Sequence, residues 1–424
     1  MCSFLYTTKN VAEDDIPILN KLLQHRGPDD TKLIYNEFGT FIHNRLKITN
    51  DIQQPYENSD CIIMLNGEIY NDCLNNELLF IETLYKEHGD TFASYLDGEF
   101  SIVILDKNNR KLLIAVDTFK TKPLWYSLDE SINVATYKSP LIDLNCKNIL
   151  PFPPNSTIII NLKNKTQFAV TVTKFNTKQF KNSFDDWINT FNESLKKRTN
   201  TDKKIGIGLS SGYDSGCIAA FLVKNNINFN AYTVSKKENI NILQERKKLI
   251  KNFFDIPFTV NSEHMQMALI HNLCELSHDS EYNYISDKSS APLMKIGHTA
   301  KKDGCKIFLS GTGCDEIIGD YYIPGQFLDV NSCFFGKYPK NLKDIFPWKN
   351  FFNGTMRKYL TKDEYIIGSL GLEARYPFLD KKLVQEFLNL SVKLKNINYK
   401  SPLREYLIQS KFPFSEGEKR GFSV

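Results

Sequence analysis

The chain has 424 residues, too many for one ordinary hydrophobic core and enough for two domains that each bury most of their apolar surface. Its 42% hydrophobic, 24% charged and 12% aromatic residues are typical of a globular protein and exclude a disordered or fibrous chain. The formal net charge is only +4 and the lysines form no long basic block, so neither nucleic acid nor an anionic membrane is indicated as a partner.

The chain start shows no basic segment followed by an apolar one, and no run approaches the roughly 18 to 20 apolar residues of a membrane helix. We therefore expect a cytoplasmic protein without a membrane partner. The nine cysteines include no CxxC pair or other zinc-ligand spacing. We expect them to be reduced thiols.

The first part of the chain is predicted to be rich in β-strands. Short runs of β-branched and aliphatic residues occur at 61–65, 100–105, 112–116 and 157–160, separated by Asn, Gly, Asp and Pro turns. A polar stretch then leads into residues 184–195, where apolar side chains recur at helical spacing. We place a domain boundary here, which predicts domains at residues 1–178 and 183–424.

Beyond this boundary the pattern alternates between strands and helices. Strands are predicted at 205–209, 230–234 and 306–309, and helices at 215–222 and 240–254. Such alternation indicates an α/β fold with a parallel sheet. From residue 331 onward the sequence is predicted to be mainly helical.

A turn of small residues follows the predicted strand at 205–209 and leads into a helix. Its members are Ser210, Ser211, Gly212 and Ser215. Such a turn presents backbone N–H groups and hydroxyls at a helix N-terminus, which attracts phosphate. Asp214 would repel that phosphate unless a divalent cation lay between them, so we predict that Asp214 is a magnesium ligand.

A second turn of this kind follows the strand predicted at 306–309. It contains Ser310, Gly311, Thr312 and Gly313, with Asp315 behind them. The carboxyl ends of parallel strands converge on one crevice, so the two turns can face the same nucleotide. Asp214 and Asp315 would then flank one metal–pyrophosphate group.

These two turns resemble the SGGxDS and SGEGxDE segments of the asparagine synthetase family. Residues 371–380 (GLEARYPFLD) are similar to the family's GLEARxPFLD segment, and residues 419–422 (KRGF) to its KxGF segment. The first half is similar to the class II glutaminase signature at Cys2, 25–30 (HRGPDD), 45–46 (RL), 66–71 (NGEIYN), 97–98 (DG) and 122–124 (KPL). The resemblance extends over nearly the whole chain.

This resemblance implies a multi-domain α/β fold, with an N-terminal α-β-β-α Ntn-type glutaminase sandwich followed by a parallel-sheet ATP-pyrophosphatase (PP-loop) domain with a helical C-terminal part. It also implies a glutamine-dependent amidotransferase that releases ammonia from glutamine. The synthetase domain would use ATP and Mg²⁺ to adenylate a carboxylate, aspartate or another small acid, and form its amide with release of AMP and pyrophosphate. The resemblance is also compatible with a homodimer.

The resemblance implies that Cys2 is the glutaminase nucleophile. Removal of Met1 would leave Cys2 with a free α-amine, whose pKa near neutrality makes it a usable base for the thiol. By resemblance, the Asn66 side chain and the Gly67 N–H stabilise the oxyanion that forms on the glutamine amide.

Three further residues are implied to bind glutamine. Arg45 suits its α-carboxylate, and Asp97 with Glu68 suits its α-ammonium.

In the synthetase domain, the resemblance implies a set of nucleotide-binding residues, with Asp214 and Asp315 as the metal ligands. These residues are Leu209, Ser210, Ser211, Gly212, Asp214, Ser215, Val234, Ser310 and Gly311. Lys419 of the KxGF-like segment is implied to be catalytic, as a fixed charge near the transferring group.

The sequence departs from the family at three places. Ser3-Phe4 stands where the family usually has Gly-Ile, and Thr312 replaces the glutamate of SGEG, which predicts a change in proton transfer or acceptor binding. The sequence ends at Val424, where asparagine synthetases generally continue, so we expect part of the usual acceptor pocket to be missing.

Two other functions are compatible with the pattern. One is a synthetase of the same family that acts on a non-aspartate acceptor or by internal cyclisation, as β-lactam synthetases do. Retention of Cys2, Arg45, Asn66 and Asp97 disfavours cyclisation, because cyclising relatives lose the glutaminase cysteine. The other is a non-catalytic protein that binds glutamine or a nucleotide.

Overall fold

The chain forms two compact units. The computed structural model describes residues 1–49, 52–72, 76–235, 238–277, 289–321 and 332–417. The first unit comprises Met1–Lys174, Asn272–Ser280 and Gly368–Gly371. The second comprises Phe175–His271, Glu281–Ile367 and Leu372–Val424. In these described ranges, no helix is both long enough and apolar enough to cross a membrane.

Two antiparallel six-stranded sheets make up most of the first unit. The strands are β1 (Ser3–Thr7), β2 (Asp30–Asn36), β3 (Gly39–Arg45), β4 (Tyr56–Glu57), β5 (Cys61–Ile69), β6 (Gly98–Asp106), β7 (Lys111–Val116), β8 (Trp125–Ser127), β9 (Asn133–Ala135), β10 (Leu150–Pro151), β11 (Ser156–Asn161) and β12 (Gln167–Thr171). One sheet has the order β10-β8-β9-β1-β3-β2 and the other β12-β11-β7-β6-β5-β4. The helices are α1 (Ile16–Lys21), α2 (Glu77–His88) and α3 (Ser139–Asp143), with 3₁₀ turns at Glu13–Asp15 and Gly89–Tyr95.

Strand β5 shows why these layers stack. Ile62 belongs to the core between the two sheets, where it is buried with Phe4 of β1. Ile63 lies on the opposite face and packs in a second core with Ile81 of α2. Because successive side chains point to opposite faces, a strand covered on both sides is apolar throughout. With α3 packed against β9 of the other sheet, the predicted α-β-β-α sandwich is confirmed.

The second unit is built on a five-stranded parallel sheet. Its strands are β13 (Ile205–Gly208), β14 (Phe229–Thr233), β15 (Asn252–Asp255), β16 (Ile307–Leu309) and β17 (Glu373–Arg375), in the order β15-β14-β13-β16-β17. The helices are α4 (Asp185–Thr199), α5 (Tyr213–Lys224), α6 (Ile240–Leu249), α7 (Val260–Ser277), α8 (Ser290–Lys302), α9 (Lys349–Phe352), α10 (Thr355–Ser369), α11 (Lys381–Asn389), α12 (Val392–Asn396) and α13 (Ser401–Gln409). A π-helical turn occupies Asp315–Gly319, and 3₁₀ turns occupy Leu342–Asp344 and Pro377–Leu379. The predicted parallel α/β sheet with a helical C-terminal part is confirmed.

The strand order places a crevice between β13 and β16. From β13 the chain continues outward to β14 and β15, and it then returns to the other side of β13 to form β16 and β17. In open parallel sheets, ligands bind beyond the carboxyl ends of the strands at the point where the strand order reverses. The loops that follow β13 and β16 are therefore neighbours at this point.

One predicted helix is too long. The apolar spacing predicts a helix over residues 240–254, but α6 ends at Leu249, and Ile250 has extended backbone angles, with φ −110° and ψ 120°. Phe253 lies in β15, where it pairs with Ala231 of β14. Aromatic residues suit a pleated strand, and pairing with β14 outweighs the helical spacing of the apolar side chains.

An aromatic cluster holds α4 against the rest of the second unit. Phe191 of α4 is fully buried. Its ring stacks on Trp187 and Phe378 at centroid distances of 5.3 and 5.1 Å, and it meets the Tyr406 ring edge-on at 5.0 Å. Phe191 thus connects α4 with the turn after β17 and with α13.

We predict that Phe191→Ala lowers the free energy of unfolding of the second unit by about 3–5 kcal/mol, because the truncated side chain leaves a cavity that its neighbours cannot fill. Urea unfolding measures the change. Phe180→Ala is the matched control, since Phe180 is 58% exposed and its loss should have little effect. Equal destabilisation by both substitutions would contradict the assignment of the cluster as a core.

Candidate active site

The side-chain amide of Asn66 lies beside the start of the chain. Cys2 is buried just before β1, and its backbone N–H donates a 3.1 Å hydrogen bond to Asn66 Oδ1 in β5. Arg26 Nε donates to the Cys2 carbonyl oxygen at 2.9 Å. The fold therefore holds the Cys2 backbone from both sides and brings it to Asn66, although the two residues are far apart in sequence.

The other end of the Asn66 amide is a buried donor. Among the residues that the structure describes, the inaccessible Asn66 Nδ2 group has no hydrogen-bond partner. An unpaired buried donor costs about 1–3 kcal/mol, so its presence beside Cys2 indicates a place for a ligand oxygen. Gly67 has φ 139°, and a Cβ there would lie 1.9 Å from the Glu99 carbonyl oxygen, so only glycine fits. This arrangement can donate to an oxyanion.

The three residues predicted to bind glutamine lie close by along the strands. Arg45 ends β3 and directly follows Asn44, which pairs with Ser3 of β1. Glu68 follows Gly67 in β5, and its Oε1 accepts a 2.8 Å hydrogen bond from the Thr49 hydroxyl. Asp97 is half-buried and directly precedes β6, whose first residue pairs with the last residue of β5.

The turn after β13 folds back on its own hydroxyl groups. The Ser210 N–H donates to Ser215 Oγ at 3.0 Å, and the Gly212 N–H donates to Ser210 Oγ at 3.2 Å. In the described part of the chain, no side chain caps the N-terminus of α5. The N–H groups and the dipole of this helix end can therefore bind an anion.

The residues predicted to contact adenosine lie at the same end of the sheet. Leu209 and Val234 are buried and directly follow β13 and β14. The Leu209 N–H donates to the Tyr232 carbonyl oxygen at 2.8 Å, which extends the pairing of the two strands to the edge of the crevice.

Two residues that the sequence pattern did not single out brace this turn. Arg246 of α6 is fully buried, and its Nη1 donates to the carbonyl oxygens of Ser210 and Gly212. Burial lowers the pKa of Arg246 to about 10, so the guanidinium stays charged at neutral pH. Glu238 accepts hydrogen bonds from the N–H and the hydroxyl of Ser211. Both residues follow β14, and nothing in the local sequence ties them to the turn.

The turn after β16 lies against Asp214. A Cβ on Gly311 would be 3.0 Å from the Asp214 Cβ, so the backbones of the two turns approach as closely as a glycine allows. Gly313 has φ 97°, and a Cβ there would lie 2.3 Å from a methyl carbon of Leu379. The structure therefore brings together the two turns that the sequence predicted to share a crevice.

Lys400 bridges the carboxylates of Asp214 and Asp315. Its Nζ donates to Asp214 Oδ1 and Oδ2 at 2.6 and 2.7 Å and lies 2.9 Å from Asp315 Oδ1. Burial would lower the pKa of Lys400, but the two carboxylates outweigh burial and keep the pKa well above its ordinary value. The sequence did not reveal this residue, because a lysine just before a Ser-Pro helix start resembles a solvated charge.

The two carboxylates also suit a divalent cation. Together with the Lys400 ammonium they leave one net negative charge, which would repel a polyphosphate. Mg²⁺ commonly takes one or two protein carboxylates and completes its shell with water and substrate phosphates. Across the described part of the chain, no group of three His, Cys, Asp or Glu residues could hold a metal. Lys419, the remaining predicted site residue, lies outside the described residues.

Two protein families match the chain. The family described as a glutamine amidotransferase domain matches residues 1–149, and the family described as asparagine synthase matches residues 187–365 and 350–423, more than half of the chain. The chain belongs to the asparagine synthase family. The family predicted from the sequence motifs is confirmed. A glutamine amidotransferase domain joined to an asparagine synthase domain makes this chain a glutamine-dependent, ATP-consuming, amide-forming ligase.

Relatives of this asparagine synthase family member are named glutamine-hydrolyzing asparagine synthetases. Asparagine synthetase 2 of Arabidopsis thaliana is 27% identical over 416 residues, which cover 89% of this chain and 67% of that protein. The Zea mays enzyme is 27% identical over 413 residues, covering 88% of this chain and 66% of that protein. This chain spans about two thirds of the length of these relatives.

Solved structures resemble this chain only distantly. Glutamine phosphoribosylpyrophosphate amidotransferase from B. subtilis gives a TM-score of 0.35 at 12% identity, covering 74% of this chain and 82% of that chain. NMN synthetase from Francisella tularensis gives 0.24 at 16% identity, covering 49% and 92%. Similarity this low supports no argument about this family member.

We predict that Arg246→Met destabilises the second unit of this asparagine synthase family member. The substitution removes the guanidinium that donates to the carbonyl oxygens of Ser210, Gly212 and Pro413. Each buried carbonyl left unpaired should lower the free energy of unfolding by about 1–3 kcal/mol. Thermal unfolding and the KM for ATP measure the effect, and both should worsen. Lys248→Met, at an exposed position of the same helix, is the control. Unchanged values for Arg246→Met would show that the turn holds its shape without the arginine.

Proposed function

We propose that this chain hydrolyses glutamine at Cys2 and uses the ammonia to convert a small carboxylate, aspartate or a related acid, into its amide with Mg-ATP. Residues 1–178 would form the glutaminase domain and residues 183–424 the synthetase domain. The observation that carries the proposal is the meeting of Asp214, Asp315 and Lys400 at the crevice of the parallel sheet. The cytoplasmic location and the homodimer considered from the sequence belong to the same proposal.

In the glutaminase domain, Cys2 would act as nucleophile and base together. Once Met1 is removed, the α-amine of Cys2 takes the thiol proton, and the thiolate attacks the amide carbon of glutamine. The hydrogen bond from the Cys2 nitrogen to Asn66 Oδ1 supports this role, because it orients the amine. Asn66 Nδ2 and the Gly67 N–H would donate to the oxyanion. The α-ammonium gives its proton to the leaving nitrogen, so ammonia leaves as the thioester forms, and water then hydrolyses the thioester to release glutamate and restore the Cys2 thiol.

Substrate glutamine would be held at both of its α-groups. The buried guanidinium of Arg45, at the end of β3, suits the α-carboxylate. Glu68 and Asp97, at adjoining ends of β5 and β6, suit the α-ammonium.

In the synthetase domain, a carboxylate oxygen of the acceptor would attack the α-phosphorus of ATP, and pyrophosphate would leave. The phosphates would be held by the two small-residue turns, through Ser210, Ser211, Gly212, Ser215, Ser310 and Gly311. Mg²⁺ held by Asp214 and Asp315 would neutralise polyphosphate charge. We assign Lys419 the role of a second fixed cation near the α-phosphate. Ammonia then displaces AMP from the acyl-adenylate, which yields the amide.

We predict that the protein with Mg-ATP and ammonium chloride releases pyrophosphate and forms an amide with at least one member of a panel of small carboxylates that includes aspartate. Asp214→Asn should lower this release about 100-fold or more, because one cation ligand is lost, while glutamine hydrolysis continues. Asp202→Asn, at an acid whose side chain is 78% exposed, is the control.

Each other result of the panel points to a different function. Absence of pyrophosphate release with every acceptor would favour a non-catalytic binding protein. Release that needs no ammonia and gives a ring-closed product would favour internal cyclisation.

We predict that Cys2→Ala abolishes glutamine hydrolysis, by on the order of 10³-fold or more, because the nucleophile is removed. Synthesis from ammonium chloride should persist, since the phosphate-binding turns are unchanged. Ammonia release from glutamine and amide formation from ammonium are measured in parallel. Cys146→Ala, at a half-buried thiol in the same unit, should retain both activities. Hydrolysis that survives in Cys2→Ala would exclude Cys2 as nucleophile.

A further inference from the structure

The turn after β16 lacks a carboxylate that its family motif contains. Thr312 stands where the SGEG segment of the family has glutamate. The structure shows where a carboxylate reaches this turn from elsewhere. Thr312 Oγ1 donates a 2.7 Å hydrogen bond to Oδ2 of Asp363, which lies in α10.

A second hydroxyl converges on the same carboxylate oxygen. Ser310 Oγ lies 2.6 Å from Asp363 Oδ2 and accepts a hydrogen bond from the Thr312 N–H at 3.1 Å. Ser310 and Thr312 are half-exposed, whereas Asp363 is only 5% exposed. The two hydroxyls therefore stand between a buried carboxylate and the crevice.

The residues next to Asp363 in α10 point to other partners. Lys362 Nζ donates to Ser289 Oγ at 2.7 Å, and Glu364 Oε1 accepts a 2.9 Å hydrogen bond from the Tyr376 hydroxyl. Burial raises the pKa of Asp363, against the lowering effect of the nearby Lys362 ammonium and of the two hydroxyl donors. Of the two adjacent acids in this part of α10, Asp363 therefore accepts hydrogen bonds from the turn, and Glu364 accepts one from Tyr376.

We propose that Asp363 is a positioning residue for the amide-forming step, and that it supplies the missing carboxylate of the turn through the hydroxyl of Thr312. This inference rests on the proposed function and deepens it. Ammonia attacks the carbonyl carbon of the acyl-adenylate, a C–N bond forms, and the bond from that carbon to the phosphate oxygen of AMP breaks. The nitrogen loses one proton to Thr312 Oγ1 as the Thr312 hydroxyl proton passes to Asp363 Oδ2, and the carboxyl group then returns it to water.

The position of the turn supports this role over a purely structural one. Gly311, between the two hydroxyl residues, approaches Asp214 at the crevice. The relay therefore begins next to the place where the acyl-adenylate would form. A hydrogen bond between Thr312 and Asp363 that only fixed α10 would not need to lie at the crevice. Its loss would slow adenylation and amide formation alike.

The test separates the two steps of the reaction. Adenylation is followed by exchange of labelled pyrophosphate into ATP, and amide formation by product release with ammonium chloride and the best acceptor of the panel. In Asp363→Asn, kcat for amide formation should fall about 100-fold, since proton transfer by a positioned group contributes about 10²–10⁴-fold. Pyrophosphate exchange should stay within about threefold of the unsubstituted protein.

Two further variants distinguish a relay from packing. Thr312→Val removes the hydroxyl, while Ser310 can still donate a hydrogen bond to Asp363. Amide formation should again fall in this variant, and pyrophosphate exchange should stay nearly unchanged. Thr312→Glu combined with Asp363→Ser moves the carboxylate onto the turn and should restore amide formation to within about tenfold. Glu364→Gln, at the neighbouring buried acid, is the control and should leave both steps unchanged.

Equal loss of exchange and amide formation in Asp363→Asn, or full amide formation in that variant, would overturn the proposal. The proposal would also be overturned if kcat for amide formation in the double variant were no higher than in Asp363→Asn. If the unsubstituted protein forms no amide with any acceptor, the proposed function fails first, which is a separate result.

Discussion

The buried ammonium of Lys400 is the interaction on which the synthetase half depends. Two carboxylates at the ends of two neighbouring turns would repel each other, and the turns could not then approach as closely as Gly311 and Asp214 do. Lys400 joins Asp214 to Asp315 with three contacts of 2.6 to 2.9 Å. The strand order brings the turns side by side, and this cation offsets the repulsion between the two acids.

The motif residues could be predicted from the sequence because they follow strands that the sequence shows clearly. The run at 205–209 and the small residues after it place a phosphate-binding turn at a strand end, and the parallel order places the second turn beside it. Lys400, Arg246 and Asp363 could not be predicted in this way. Arg246 and Asp363 reach the crevice from α6 and α10, and Lys400 reaches it from the residue before α13. The local sequence of each is that of an ordinary helical or surface charge.

The glutaminase half shows the same division between local pattern and long-range placement. An Asn-Gly pair in a β-rich run normally indicates a hairpin turn, yet Asn66 and Gly67 lie inside the long strand β5. Their place is imposed by β6, because the Glu99 carbonyl oxygen leaves no room for a Cβ at Gly67. Across the two stacked sheets, this strand brings the Asn66 amide to the start of β1. There Oδ1 accepts a hydrogen bond from the Cys2 N–H, and Nδ2 has no partner among the described residues.

The replacement at Thr312 illustrates why a motif departure has to be judged in three dimensions. In the sequence alone, Thr312 replaces the family's glutamate, so the turn after β16 loses a carboxylate next to the predicted phosphate site. In the fold, Asp363 of α10 accepts a hydrogen bond from the threonine hydroxyl, so a carboxyl group is present at the turn but is buried. A buried carboxylate that acts through a hydroxyl differs from a glutamate on the turn itself, because the group that faces the crevice is then a neutral hydroxyl and not a charged carboxylate.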